Sequence, residues 1–172
     1  MGYTAVTTLA TGNVFTATRW NTDVRDNLAW LHVPPMASAR RTTALSIATS
    51  TWTSVTLPDA EEWDTSSMHS LVTNSNRFTC ASTGIYSISG MVEFAANATG
   101  QRGIRFLIDG AGGQWLGPIG DAATSGVTRV SHTALISVTA GSYLGAEAWQ
   151  SSGGALNISD ARVHVAWIGA TS

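Results

Sequence analysis

Lysine is absent from this 172-residue chain: all nine basic residues are arginine, and they are scattered along its length. Eleven acidic residues bring the formal charge to −2, and charged residues make up only 12%, about half the usual share. The concentrated positive field that a nucleic-acid binder offers to phosphates is therefore missing, and no nucleic-acid partner is expected. No uninterrupted apolar run is long enough to cross a bilayer, and residues 1–15 carry neither the basic start nor the apolar middle of a signal peptide. The expectation is a protein soluble where it is made, without membrane insertion. A single cysteine, Cys80, permits no internal disulfide, so stability must come from packing or from association with other chains. The two glycosylation sequons, Asn97-Ala-Thr99 and Asn157-Ile-Ser159, carry little meaning without secretion.

What is present is an apolar fraction of 44%, enough to build a core, and a single helical-looking stretch at the start. In "NVFTATRWNTDVRDNLAWLHVPP", Thr16 is a natural N-cap. Trp20, Val24, Leu28 and Leu31 follow at spacings of four, four and three, which places them on one helical face. Pro34 and Pro35 end the helix near Leu31 or His32, and an extended linker is expected through about Arg41. A helix of about four turns is marginal alone in water, so its apolar stripe needs a surface. Either it packs on its own domain, or it docks on a neighbouring subunit or a larger assembly.

From Ala44 the punctuation changes. "ALSIATSTWTSVTL", "IYSISGMVEF", "GIRFLIDGAGGQWLG", "VTRVSHTALISV", "SYLGAEAWQ" and "ARVHVAWIG" read as short strands parted by Gly- and Ser-rich turns, with Asp-Gly at 109–110 as a hairpin turn. Val92 with Phe94, and Val163, Val165 and Trp167, keep period two and present one face to a core. The predicted fold is all-β: an antiparallel jelly-roll sandwich over 42–172, preceded by an N-terminal segment over 1–41 with a short α-helix.

Chemistry is sparse. Asp59, Glu61, Glu62 and Asp64 surround Trp63, but they lack the ordered spacing of a calcium loop and read as a solvated acidic turn. The histidines His32, His69, His132 and His164 are dispersed, without a second ligand at zinc spacing. No Gly-x-Ser-x-Gly elbow is present, and Cys80 reads as a small strand residue. A glycan depolymerase would need two carboxylates across a cleft. Glu93, Asp109, Asp121, Glu147 and Asp160 are candidates one by one, with no pairing visible. No catalytic residue, metal or cofactor is assigned. Sugar faces stack on aromatic rings; Trp52, Trp149 and Trp167 lie in strand patterns, whereas Trp63 and Trp115, in turn-like settings, are the candidate glycan contacts.

Two resemblances follow from particular residues. Phe78, Gly84, Tyr86 and Phe94, with "RFLIDGAGG", "SHTALISVTAGSYLGAEAWQSSGGALN" and "ARVHVAWIG" in that order, resemble the globular heads of the complement/tumour-necrosis-factor-like jelly-roll superfamily over roughly 44–169. Thr83, Ile88 and Gly141-Ser142 depart from that pattern. "GNVFTATRWNTDVRDNLAWL" is similar to the N-terminal segment of many small bacteriophage virion proteins, through Gly12, Val14, Thr16, Ala17, Asn21, Thr22, Arg25, Asp26, Asn27 and Leu28. Together the resemblances imply a homotrimeric virion structural protein, made in the host cytoplasm. Trp20, Val24, Leu28 and Leu31 would anchor it to other virion proteins, as a fibre-like or adhesin element of the tail or baseplate that engages a host cell-surface glycan. The alternatives are a trimeric capsid decoration protein and a lectin-like carbohydrate-binding module.

Overall fold

A computed structural model describes Val6 and residues 8–171, apart from the side chains of residues 112–115. The chain divides into two compact units, residues 1–34 and 35–172.

The first unit holds a helical segment in three parts: α1 (Ala17–Trp20), a π-helical turn (Asn21–Asp26) and α2 (Asn27–His32). Thr16 caps it, its hydroxyl accepting the Arg19 N–H at 3.3 Å. Phe15, just before the cap, meets Trp20 edge-on at 5.9 Å, the arrangement of a hydrophobic staple. Arg19 pairs with Asp23 one turn on, at 3.1 Å. The π turn interrupts the 3.6-residue phase on which the four-residue stripe was drawn. Leu28 and Leu31 are 60% and 61% exposed, Trp20 is exposed and Val24 is half-buried.

The second unit is a two-sheet antiparallel sandwich. Its strands are β1 (Met36–Arg41), β2 (Leu45–Ile47), β3 (Thr53–Ser54), β4 (Ala60–Asp64), β5 (Phe78–Thr79), β6 (Gly84–Phe94), β7 (Gln101–Ile108), β8 (Ala111–Asp121), β9 (Thr128–Val138), β10 (Tyr143–Gln150) and β11 (Leu156–Gly169). One sheet runs β4-β1-β11-β6-β9 with β2 beside β11; the other runs β3-β10-β7-β8 with β5 beside β10. The jelly-roll expectation holds. Residues 36–41, expected as linker, instead form β1, hydrogen-bonded to both β11 and β4. Ala37 and Ala39 are fully buried, and such small side chains leave little periodic signal in sequence. The acidic run 59–64, expected as a solvated turn, is mostly the edge strand β4.

β6 alternates without fault: every second residue from Gly84 to Phe94 faces the core. In β11 the register shifts between Ile158 and Asp160, and this bulge moves the inward positions from even numbers (Leu156, Ile158) to odd (Ala161, Val163, Val165, Trp167). Asp109 and Gly110 both take positive φ (50° and 80°), as a two-residue hairpin turn between β7 and β8 requires. Gly84 answers to close approach: a Cβ there would lie 2.3 Å from Trp167 Nε1 and 2.5 Å from the Gly169 carbonyl oxygen. Phe78, Tyr86 and Phe94 are core residues, with the Tyr86 hydroxyl donating to the Ser82 carbonyl at 2.9 Å.

A charged residue lies in this core. Arg102 is fully buried, and its guanidinium donates to the carbonyls of Thr99, Gln101 and Asn97 at 2.8–3.0 Å. Carbonyl oxygens at these distances replace its hydration, and the contacts fasten the β6–β7 loop to the start of β7. It shares parity with the inward Ile104 and Phe106, the one sequence signal of its burial.

Candidate functional site: the outward sheet face

An antiparallel sheet buries one face and turns the other outward. On the six-stranded sheet the register lines up that outward face row by row. Trp63, Ser38, His164, Ser89 and Thr133 oppose one another across five strands. Met36, Ala166, Ser87 and Leu135 form a second row, and Arg40, Arg162, Met91 and Ser131 a third. Most of these side chains are small or uncharged. Leu135 and Ile168 are 61% and 58% exposed, high for apolar residues on the same sheet. A shallow cleft of about 220 Å³ lies at the centre, lined by Ser89, Met91, Ser131, Thr133, Arg162 and His164 among others.

The charges on this face are matched. Arg40 lies 3.6 Å from Asp160, Arg162 reaches Asp160 at 3.8 Å and Glu62 at 4.0 Å, and Arg129 pairs with Glu93. Hydrogen bonding from the Ser159 hydroxyl, with the Arg129 pair, holds the Glu93 carboxyl below its usual range. The Ser38 hydroxyl donates to Glu62 at 3.1 Å. Trp63 stacks on His164, ring centroids 6.0 Å apart and planes 22° from parallel. Such a surface has little net field to hold water and little cost to covering, which suits contact between protein chains.

The other residues singled out in the sequence are dispersed or occupied. Asp59 accepts the Thr42 and Thr43 N–H groups, each at 2.6 Å, and both hydroxyls; these bonds hold its carboxyl down at about 2. Glu61 pairs with His69 at 3.2 Å, while Asp64 accepts the N–H groups of Ser66 and His69. Glu147 pairs with Arg105 at 2.6 Å, Asp109 accepts the Tyr143 N–H, and Asp121 accepts from Gln101. Among the described residues no group of three or more His, Cys, Asp and Glu is arranged to hold a metal. Cys80 is buried, and burial pushes its thiol up to about 12, far from the thiolate a nucleophile needs. His132 turns inward and stacks on Phe106 at 5.0 Å; burial holds its imidazole below the usual range. Trp63 lies on a strand and not in a turn, and Trp115 lies on β8 with its side chain outside the described residues. Trp52 and Trp149 meet at 6.3 Å, and Arg105 lies 4.4 Å over Trp52.

No helix among the described residues is long and apolar enough to cross a membrane. No family model matches the chain, and no curated protein matches it. Solved structures do. The globular domain of zebrafish complement 1qA protein superposes with a TM-score of 0.59 at 16% identity, covering 80% of this chain and 99% of that one. Murine APRIL gives 0.54 at 13% identity, covering 77% and 98%. The Eiger TNF of S. frugiperda gives 0.51 at 11% identity, covering 80% and 96%. At such identities the likeness is one of fold, and it covers almost the whole of each neighbour: the chain is a jelly roll built like these globular domains.

Proposed function

We propose that the protein is a non-enzymatic bacteriophage virion structural protein, displayed as a homotrimer on the tail or baseplate and held there by its N-terminal helical segment. The observation that carries this reading is the opening segment. Its phage-like sequence forms a capped helix that leaves Trp20, Leu28 and Leu31 exposed, although such a helix needs a partner for its apolar side chains. The trimer is supported by the outward sheet face, where Leu135 and Ile168 stand exposed among small residues and matched charges. Trp63 lies on that same face, so a sugar there would compete with a neighbouring subunit. A capsid decoration role would use the same surfaces and differs only in location.

The test has two readouts. Sedimentation velocity of the full chain at micromolar concentration should give a trimer, and antibody carrying gold particles should label tails of intact virions. A stable monomer removes the display trimer; label on the head surface moves the protein to decoration; absence from virions ends the reading.

A further inference from the structure

The nine arginines divide unevenly by partner. Arg19, Arg25, Arg40, Arg105, Arg129 and Arg162 each pair with a carboxylate. Although the Arg102 Nε, like those of Arg40 and Arg162, is buried without an acceptor in hydrogen-bonding range, Arg41 and Arg102 donate to backbone carbonyls, with the Thr56 hydroxyl added for Arg41. Arg77 has neither. Its guanidinium lies 4.3 Å over the Tyr143 ring, and its Nε is sealed from solvent with no acceptor. The surrounding structure holds it in place: the Arg77 N–H donates to the Asn74 carbonyl at 2.9 Å. Tyr143 is fixed by two bonds to Asp109, its N–H donating to the carboxylate at 2.9 Å and its carbonyl accepting the Asp109 N–H at 3.0 Å.

This stacked pair belongs to a cleft of about 300 Å³ between the loop 65–77 and the turn before β10. Among the described residues no Asp or Glu lines it; Ser67, Ser70, Thr73 and Asn74 do, together with His69, whose two ring nitrogens are taken up by Glu61 at 3.2 Å and the Ser75 carbonyl at 3.0 Å. The Ser70 oxygen accepts the N–H groups of Val72 and Thr73, which leaves its proton free to donate outward. Among the described residues, the side chains of Ser67, Thr73 and Asn74 make no hydrogen bond. Ser67 and Asn74 also hold positive φ (52° each), a conformation that costs free energy and recurs where a loop is shaped for a ligand. One guanidinium held on an aromatic ring, a rim of hydroxyl and amide groups with hydrogen-bonding capacity to spare and no carboxylate in the lining describe a receptor for a single negative charge on a polyhydroxylated body.

We infer that this cleft binds an acidic monosaccharide unit through its carboxylate, with Arg77 taking the charge on its Tyr143 platform and Ser70, Thr73 and Asn74 meeting sugar hydroxyls. A single guanidinium matches a monoanion, and its planar fork matches a carboxylate. The volume suits one sugar ring. The assignment is independent of the virion reading, because it concerns a cleft made by the jelly roll alone.

Amide NMR of the full chain, titrated with sodium D-glucuronate at fixed ionic strength, tests it. Signals from residues 67–79 and 141–143 should shift with a dissociation constant on the order of millimolar, and D-glucuronamide, the uncharged isostere, should bind about tenfold more weakly. Arg77→Gln should impose a similar loss with the remaining spectrum unchanged. Equal binding of acid and amide by the wild-type protein overturns the assignment without any variant, as do shifts centred elsewhere or unaltered binding by Arg77→Gln. Displacement of glucuronate by inorganic phosphate at equal concentration would overturn the acidic-sugar assignment in favour of a bare oxyanion site.

Discussion

The N-terminal helical segment and the jelly roll handle apolar side chains in opposite ways. In the sandwich, Phe78, Phe94, Phe106, Ile104, Ile136 and Leu144 are essentially sealed from water. In the helical segment Trp30 is buried, but Trp20, Leu28 and Leu31 stand exposed. Hydrogen bonding is not the difference, because the helix has its cap, its staple and an ion pair one turn apart. The sandwich closes two sheets on one another and so completes its burial within the chain, whereas a single helix has one apolar side and no second layer of its own. The same residue types therefore stabilise the fold in one region and are available for association in the other.

The largest effect expected from breaking this contrast comes from the core. Phe94 ends β6, fully buried, with Arg102 5.7 Å over its ring. Phe94→Ala removes that packing and exposes the carbonyl cage around the arginine, at an expected loss of about 3–5 kcal/mol by urea unfolding. Trp20→Ala should change the same transition by about 0.5 kcal/mol or less. Comparable losses from both would show that Trp20 contributes to the sandwich and that the two regions do not differ as described.

Much of this division was legible in the sequence, and the part that was not has physical causes. Thr16, the stop at Pro34 and the alternation along β6 are local signals, each carried by the residues that form the feature. The outward face was not legible, because its rows are assembled from strands far apart in sequence: Ser38, His164 and Ser89 meet only through register. β1 escaped notice because Ala and Ser bury as readily as they stay exposed. The Arg77 cleft left no motif, for what sets Arg77 apart is the lack of a partner, and a partner is a property of the folded chain.

An intermediate effect is expected from acid, and it belongs to the jelly roll. His132 is held below its usual value of 6.5, so the unfolded chain takes a proton more readily than the folded one. That contribution is complete above pH 6.5 and is lost as pH falls below it. Asp59, lowered from 3.8 to about 2, contributes stability that is present above pH 3.8 and is lost as pH falls toward 2. Melting temperature should therefore drop in two stages on acidification. His132→Gln should remove the upper stage, and Asp59→Asn should shrink the lower, to which the lowered Glu93 carboxyl also contributes. An acid profile with the upper stage intact in His132→Gln would assign that stage to another group.

The smallest expected effect on stability sharpens the comparison most, because it separates folding from association at one position. Leu28 is largely exposed, so Leu28→Asp removes no core contact of the isolated chain, and its melting temperature should stay within about 2 °C of wild type. In a virion the same leucine would be buried against a partner. Burying a Leu contributes about 1.5–3 kcal/mol, and a carboxylate left without a partner in that contact costs more, so incorporation into particles should fall severely. Arg25→Ala provides the control. Arg25 pairs with its neighbour Asp26 at 2.8 Å on an exposed surface, and such pairs are worth about 1 kcal/mol or less, so incorporation should change little. Quantitative blotting of purified particles reads both variants. Equal incorporation of Leu28→Asp and Arg25→Ala would show that the stripe anchors nothing, while a fall in melting temperature for Leu28→Asp would place the leucine in the fold itself.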